Sequence, residues 1–226
     1  MGHLLSVNLA VPRTEPASRA GATGIDKQPA DGPVHVQMPG PKGTPLGSGL
    51  AGDRVFDARH GGDEKAVYAY AREDLDIWAA ELGRELRNGV FGENLTTANV
   101  DITGALIGER WRISDGVVLE VTVPRIPCRT FAAWMAEQRW MKRFTDRSAP
   151  GAYLRVIEPG DVQAGHPVTV TSRPDHDVTI GLLFRALTSE RELVPRLRTV
   201  EALPSEVKER LARRTTSRLS TAGTER

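Results

Sequence analysis

The sequence predicts an α+β fold, rich in β-structure, whose short strands wrap into a strongly curved or closed sheet flanked by helices. Three observations carry this expectation. Short apolar segments with strand-like alternation recur along most of the chain, two intervening stretches switch to three- and four-residue apolar spacing, and a further helical pair follows Pro174.

In chain order, Val34, Val36 and Met38 alternate with polar neighbours and imply a half-buried strand, followed by the proline- and glycine-rich loop PGPKGTPLGSG. Residues 52–57 (GDRVFD) and 65–70 (KAVYAY) read as strands flanking the polar turn RHGGDE. From Arg72, the spacing of Leu75, Trp78, Leu82 and Leu86 marks an amphipathic helix that Asn88-Gly89 should end. RWRIS and VVLEVTV form a strand pair across Asp115-Gly116, with Val117, Leu119, Val121 and Val123 on one face.

Pro124 and Pro127 then stiffen the segment PRIPC and present Cys128 from a constrained loop. A second helix places Phe131, Trp134, Met135 and Gln138 on one side, and YLRVIEPGDVQAGHPVTV returns the chain to strands. Thr179 is positioned to cap a helix in IGLLFRAL, and SEVKERLARR reads as another. The expected organisation is a main domain over 1–173, a helical extension over 174–214 and a disordered tail over 215–226.

The totals narrow the function. A chain of 226 residues, 39% hydrophobic and 26% charged with a net charge of +1, lacks the basic excess of a nucleic-acid-coating protein. We expect no stable nucleic-acid partner. No stretch approaches the ~20 apolar residues of a membrane span, and the opening MGHLLSVNLAVPR lacks the basic start of a leader, so a cytoplasmic protein is expected. One cysteine rules out an internal disulfide and a four-thiolate cluster within this chain, so redox chemistry would need a bound cofactor.

Cys128 is either an inert, buried small residue or a thiolate nucleophile or ligand favoured by the flanking Arg125 and Arg129. Arg54, Arg59, His60, Lys65 and Arg155 are either solvated strand and turn residues or a set converging on an anion. Gly61 and Gly62 favour the second reading, because two glycines permit close backbone approach and a nest of N–H groups suited to phosphate. Glu93 and Asn94 could bond a polar heterocycle or stabilise a turn. Gly47 to Gly52 match the dinucleotide fingerprint in letters, but prolines precede it and no helix is expected after it, which argues against a dinucleotide site. His3, His35, His166 and His176 are scattered without zinc-hydrolase spacing.

Taken as a series, TGIDKQP, GSGLAGDR, RHGGDEKAVYAY, GVFGENLTT, IGERW, LEVTVPRIPC, MKRFT and GAYLRVIEPGDVQAG resemble the MOSC (molybdenum-cofactor sulfurase C-terminal) family over roughly residues 20–170. The helical end with DHDVTI resembles the three-helix extension of its stand-alone bacterial branch.

The resemblance implies a partly closed β-barrel, a pocket for the pterin molybdenum cofactor (molybdopterin) and Cys128 as molybdenum ligand and catalytic residue. It maps cofactor contacts to His60, Gly61, Gly62, Lys65, Tyr68, Glu93, Asn94 and Arg125, with Arg155 meeting the phosphate. Arg59 departs from a second histidine of the family pattern, and His166 from an aspartate. The implied activity is detoxifying reduction of N-hydroxylated compounds such as hydroxylaminopurines, with a separate electron-donor reductase or flavoprotein. The alternative is a non-catalytic cofactor or sulfur carrier using Cys128. Pyridoxal phosphate is not expected, because the desulfurase that uses it is a separate domain.

Overall fold

Strand β1 (Gly2–Ala10) is where the sheet closes. The computed structural model describes residues 1–198 and 200–216, without the side chains of 214–216. After β1, the short strands β2 (Arg13–Thr14) and β3 (Ala22–Thr23) form a hairpin, β4 (Lys27–Pro29) pairs antiparallel with the end of β1, and β5 (Val34–Val36) follows. A 3-10 turn at Asp63–Lys65 leads into β6 (Val67–Ala71), helix α1 (Arg72–Leu82) and β7 (Leu95–Ala98). Strands β6 and β7 are parallel, and α1 supplies the crossover that such a pair needs.

Strands β8 (Arg110–Ile113) and β9 (Val117–Pro124) pair antiparallel, with Ile113 opposite Val117 across the expected Asp115-Gly116 turn. Helices α2 (Arg129–Met135) and α3 (Trp140–Arg147) precede β10 (Ala152–Glu158), β11 (Gly160–Val162) and β12 (Pro167–Ser172). The ring runs β12-β8-β9-β10-β6-β7-β1 and returns to β12 through Gly2↔Val168 and His3↔Pro167. The barrel is therefore closed by seven strands, where the resemblance implied partial closure. Strand β11 pairs with β5 outside the ring.

An aromatic cluster mounts the helices on the barrel. Phe91 makes edge contacts with Phe131 and Trp140 at centroid distances of 5.2 and 5.6 Å, and Trp78 lies 4.6 Å from Trp140. Helix α4 (Ile180–Thr188) begins as expected, with Thr179 Oγ1 accepting from the Leu182 amide at 3.1 Å. Its buried apolar residues join the same core cluster, and a 3-10 segment, Arg191–Leu197, and α5 (Ser205–Thr216) follow. The remaining tail, 217–226, lies outside the described residues.

Three elements differ from expectation. GDRVFD is a loop, because the Asp53 side chain accepts the Ala10 amide at 2.8 Å and so occupies a donor that a neighbouring strand would have paired. Helix α1 stops at Gly83, whose left-handed conformation (φ 64°) lets its N–H reach the Ala79 carbonyl; Leu86 is buried beyond it. Gln138 lies past α2, which ends when Ala136 turns left-handed, and α3 is a separate helix.

Candidate functional site

Strand β9 fixes the direction in which the PRIPC segment leaves the barrel. Arg125 is buried just past the strand end, its guanidinium 3.7 Å above the Phe131 ring centroid and 5.2 Å from that of Tyr68, donating to the Phe91 carbonyl. Burial works against its charge, but Tyr68, Tyr153 and Cys128 more than offset this, and its pKa is raised. Three residues on, Cys128 is half-buried in extended conformation, its carbonyl accepting from the Ala132 amide at the start of α2. Of the two flanking arginines, Arg125 is therefore inside and Arg129 is at the surface.

The HGG turn faces this cysteine across a cleft. His60 Nδ1 is 2.7 Å from Asp57 Oδ2. Burial disfavours the Asp57 carboxylate, but the His60 hydrogen bond and charge outweigh it and hold the carboxyl below its usual range. Lys65 Nζ donates to the Arg59 carbonyl and lies 6.0 Å from the Tyr153 ring, and burial lowers its pKa. Burial raises Tyr68 well above the usual phenol range and Tyr153 to about 12, so both phenols stay protonated. Tyr68 donates its hydroxyl to the Pro150 carbonyl at 2.7 Å.

Of the two glycines expected to form a phosphate nest, Gly61 lines the inner pocket, while Gly62 commits its N–H elsewhere. Both have positive φ (73° and 74°), and the Gly62 N–H is given to the Gly47 carbonyl at 2.8 Å. A Cβ on Gly61 would stand 2.6 Å from that same oxygen. The two glycines lock the turn onto the GSG loop, and no helix follows the fingerprint-like glycines there.

Beneath the cleft lies a buried network. Lys27 Nζ donates to both Asp53 oxygens at 2.6 and 2.7 Å, while Ser48 Oγ and Asn94 Nδ2 donate to Oδ2 at 2.7 and 2.9 Å. Burial works against Asp53 ionisation, yet Lys27 and these donors prevail and its pKa is lowered. Asn94 Oδ1 also accepts the Tyr68 amide, so both ends of this amide brace the floor that it lines. Sequence reasoning assigned no role to Lys27, Ser48, Asp53, Asp57 or Tyr153. The first three lie in TGIDKQP and GSGLAGDR, two segments that carried the family resemblance, which was the available signal.

Two assigned residues fall elsewhere. Glu93 is fully buried and accepts from the Gly89 and Phe91 amides and from Thr96 Oγ1, so it stabilises its own turn; burial raises its pKa. Arg155 does not line the cleft and is ion-paired with Glu64 at 2.5 Å and Glu120 at 3.0 Å. Both depart from the cofactor contacts expected of them.

The cleft has an inner pocket, lined by Lys27, Arg54, Lys65, Tyr68 and Arg125, and an outer one, lined by Arg19, Arg59, Arg129 and Met141. Phe56, Asp57, His60, Cys128 and Thr130 line both. The carboxylates among the lining residues are Asp53 and Asp57, so lysines and arginines dominate a cleft in a protein whose net charge is only +1. Such a site attracts anions. Among the described residues no group of three His, Cys, Asp or Glu side chains is placed to hold a metal ion, and no helix is long and apolar enough to cross a membrane.

Comparison with known proteins agrees with this architecture. The MOSC domain profile matches residues 57–169. The uncharacterized protein YflK of Bacillus subtilis is 32% identical over 179 residues, covering 78% of this chain and 76% of YflK. A protein of Gibberella moniliformis named "Reductase" is 32% identical over 155 residues, which are 67% of this chain but 26% of that protein. The crystal structure of YiiM from Geobacillus stearothermophilus superposes with a TM-score of 0.75 at 22% identity, covering 95% of this chain and 99% of that one, and shows the shared fold. With the profile spanning half of the sequence and YflK matching most of it, the protein belongs to the MOSC domain family.

Proposed function

We propose that this protein binds the molybdenum cofactor in the inner pocket and reduces N-hydroxylated compounds presented from the outer cleft, with Cys128 as the metal ligand. The observation that carries the reading is the position of Cys128, the one thiol of the chain, at the junction of two connected pockets.

The residues present fit the cofactor. A half-exposed thiol suits a soft metal, and the remaining coordination must come from the cofactor, since no other ligand cluster is available among the described residues. Arg54, Lys65 and the buried, permanently charged Arg125 suit its phosphate and anionic sulfur groups. Once bound, the cofactor supplies the two-electron redox change, its electrons coming from a separate reductase or flavoprotein.

The chain's own side chains handle protons and position. Asp57, held ionised, fixes the proton of His60 on Nδ1 and leaves Nε2 as the exchanging nitrogen, the geometry of a general acid for the oxygen leaving a substrate N–O bond. Lys65 and Arg125 line the same pocket as the thiol and place positive charge there for the anionic groups of the cofactor.

The test is molybdenum and pterin content of protein from a cofactor-producing host, with turnover on an N-hydroxylated purine, for wild type and Cys128→Ala. Stoichiometric metal in wild type, with loss of metal or turnover in the variant, supports the reading. Wild type that carries cofactor without turnover is a carrier; wild type that takes up none even after reconstitution refutes the assignment.

A further inference from the structure

The outer cleft carries charge that the cofactor reading does not use. Arg19, Arg59 and Arg129 line it and form no ion pair among the described residues; Asp57, in the same lining, attracts Arg59 but is itself bonded to His60. Several other arginines are paired: Arg13 and Arg87 share Asp26, Arg143 and Arg147 share Glu81, and Arg155 bridges Glu64 and Glu120. Three guanidiniums gathered at one opening repel one another, and the arrangement becomes favourable when an anion enters between them.

The support for Arg19 is built rather than loose. It sits at the tip of the β2–β3 hairpin, where Glu15 accepts the Ala17 amide at 2.8 Å, Ser18 Oγ accepts the Ala20 amide at 3.3 Å, and the Glu15 amide donates to Gly21 at 3.0 Å. The base of the hairpin is pinned by Arg13, which pairs with Asp26 and lies 5.6 Å from the Trp134 ring centroid on α2. Arg129 opens α2 itself, one residue past Cys128, and Arg59 precedes His60. All three line the outer pocket, whose lining does not include Lys27 or Asp53. Phe56 and Met141 line the same pocket as the thiol and offer apolar surface to a flat ring.

We infer that the outer cleft is a second anion subsite reading a phosphate on the substrate, so that N-hydroxylated nucleotides are preferred to the corresponding nucleosides or free bases. Planar guanidinium forks suit a polyoxygen anion, and an apolar wall beside the thiol suits a nucleobase. The inference rests on the reductase reading for the word substrate, but the subsite is measurable without turnover.

The test uses the full, cofactor-loaded chain and two unreactive probes, adenosine 5′-monophosphate and adenosine, by titration calorimetry. Wild type should bind the monophosphate at least about tenfold more tightly than adenosine, and Arg19→Gln/Arg129→Gln should bring that ratio near unity. Both side chains are exposed, so the variant should fold. The kcat/KM ratio for an N-hydroxylated nucleotide over its nucleoside should collapse in parallel. A wild-type ratio near one, or a preference that survives the double substitution, overturns the subsite. So does a cofactor carrying its own nucleotide extension whose retention depends on the two arginines, since the charge would then serve the cofactor. Arginine-dependent binding of the monophosphate with no reduction of any N-hydroxylated compound upholds the subsite and refutes the reductase assignment instead.

Discussion

Lys27 and Asp53, 26 residues apart in sequence, form a nearly water-free ion pair in which one ammonium bonds both carboxylate oxygens. The pair joins β4 to the GDR loop and, through Ser48 and Asn94, to the GSG loop and the start of β7. Removing one partner strands a buried charge, so Lys27→Met should lower stability by about 3–5 kcal/mol, while the paired replacement Lys27→Met/Asp53→Leu should recover part of it. Denaturant titrations of the single and double variants check this.

The same pair predicts acid behaviour. Because the folded pKa of Asp53 is lowered, its contribution is fully present above the unfolded carboxylate pKa of about 3.9 and is lost as pH falls through the folded value. Wild type should therefore lose stability below about pH 4, and Asp53→Asn, less stable at neutral pH, should show a flatter profile there. Melting temperatures from pH 2 to 7 are the measurement.

Gly61→Ala tests the contact between the HGG turn and the GSG loop. Positive φ and an oxygen 2.6 Å from the added Cβ leave no room for the methyl, and a loss of roughly 2–4 kcal/mol is expected. Gly83→Ala shares the positive φ but meets nothing within 4 Å, so it should cost only about 1 kcal/mol. Similar losses at both sites would refute the packing argument.

Glu93→Ala should destabilise by about 2–4 kcal/mol, since it leaves the Gly89 and Phe91 amides unpaired. Cofactor content per folded molecule should be preserved. Loss of cofactor from fully folded Glu93→Gln would restore the role that sequence alone gave this residue.

Under the proposed reduction, His60→Gln should slow turnover by about 10²-fold or more with KM little changed, and Asp57→Asn should lower kcat in the same direction, because it no longer fixes the imidazole tautomer. An unchanged kcat in both variants would remove the dyad from the chemistry.

The parts of this molecule that were legible in the sequence are those set by local chemistry. The hairpin across Asp115-Gly116, the Thr179 cap and the stiff presentation of Cys128 each depend on residues a few positions apart. What escaped depends on partners far along the chain. GDRVFD has the apolar content of a strand, but Asp53 is captured by Lys27 and Ala10, 26 and 43 residues away. Arg155 looks like a cofactor contact until Glu64 and Glu120 arrive from 91 and 35 residues away. The two glycines of HGG announced an unusual turn correctly, yet only the packed structure identifies the GSG loop as what they approach.

Closure of the ring through β1 and β12 also sets a timetable for biosynthesis. His3 and Pro167, which meet at that seam, emerge from the ribosome 164 residues apart, a delay of roughly 10–30 s at ordinary translation rates. Throughout that interval the beginning of β1, beyond the stretch that β4 covers, presents unpaired amides and carbonyls to other chains. Nascent copies of this MOSC domain protein are thus exposed to edge-to-edge aggregation before they can ever bind a ligand, and a chaperone that shields β1 should raise the yield of folded protein more than one acting on the later helices.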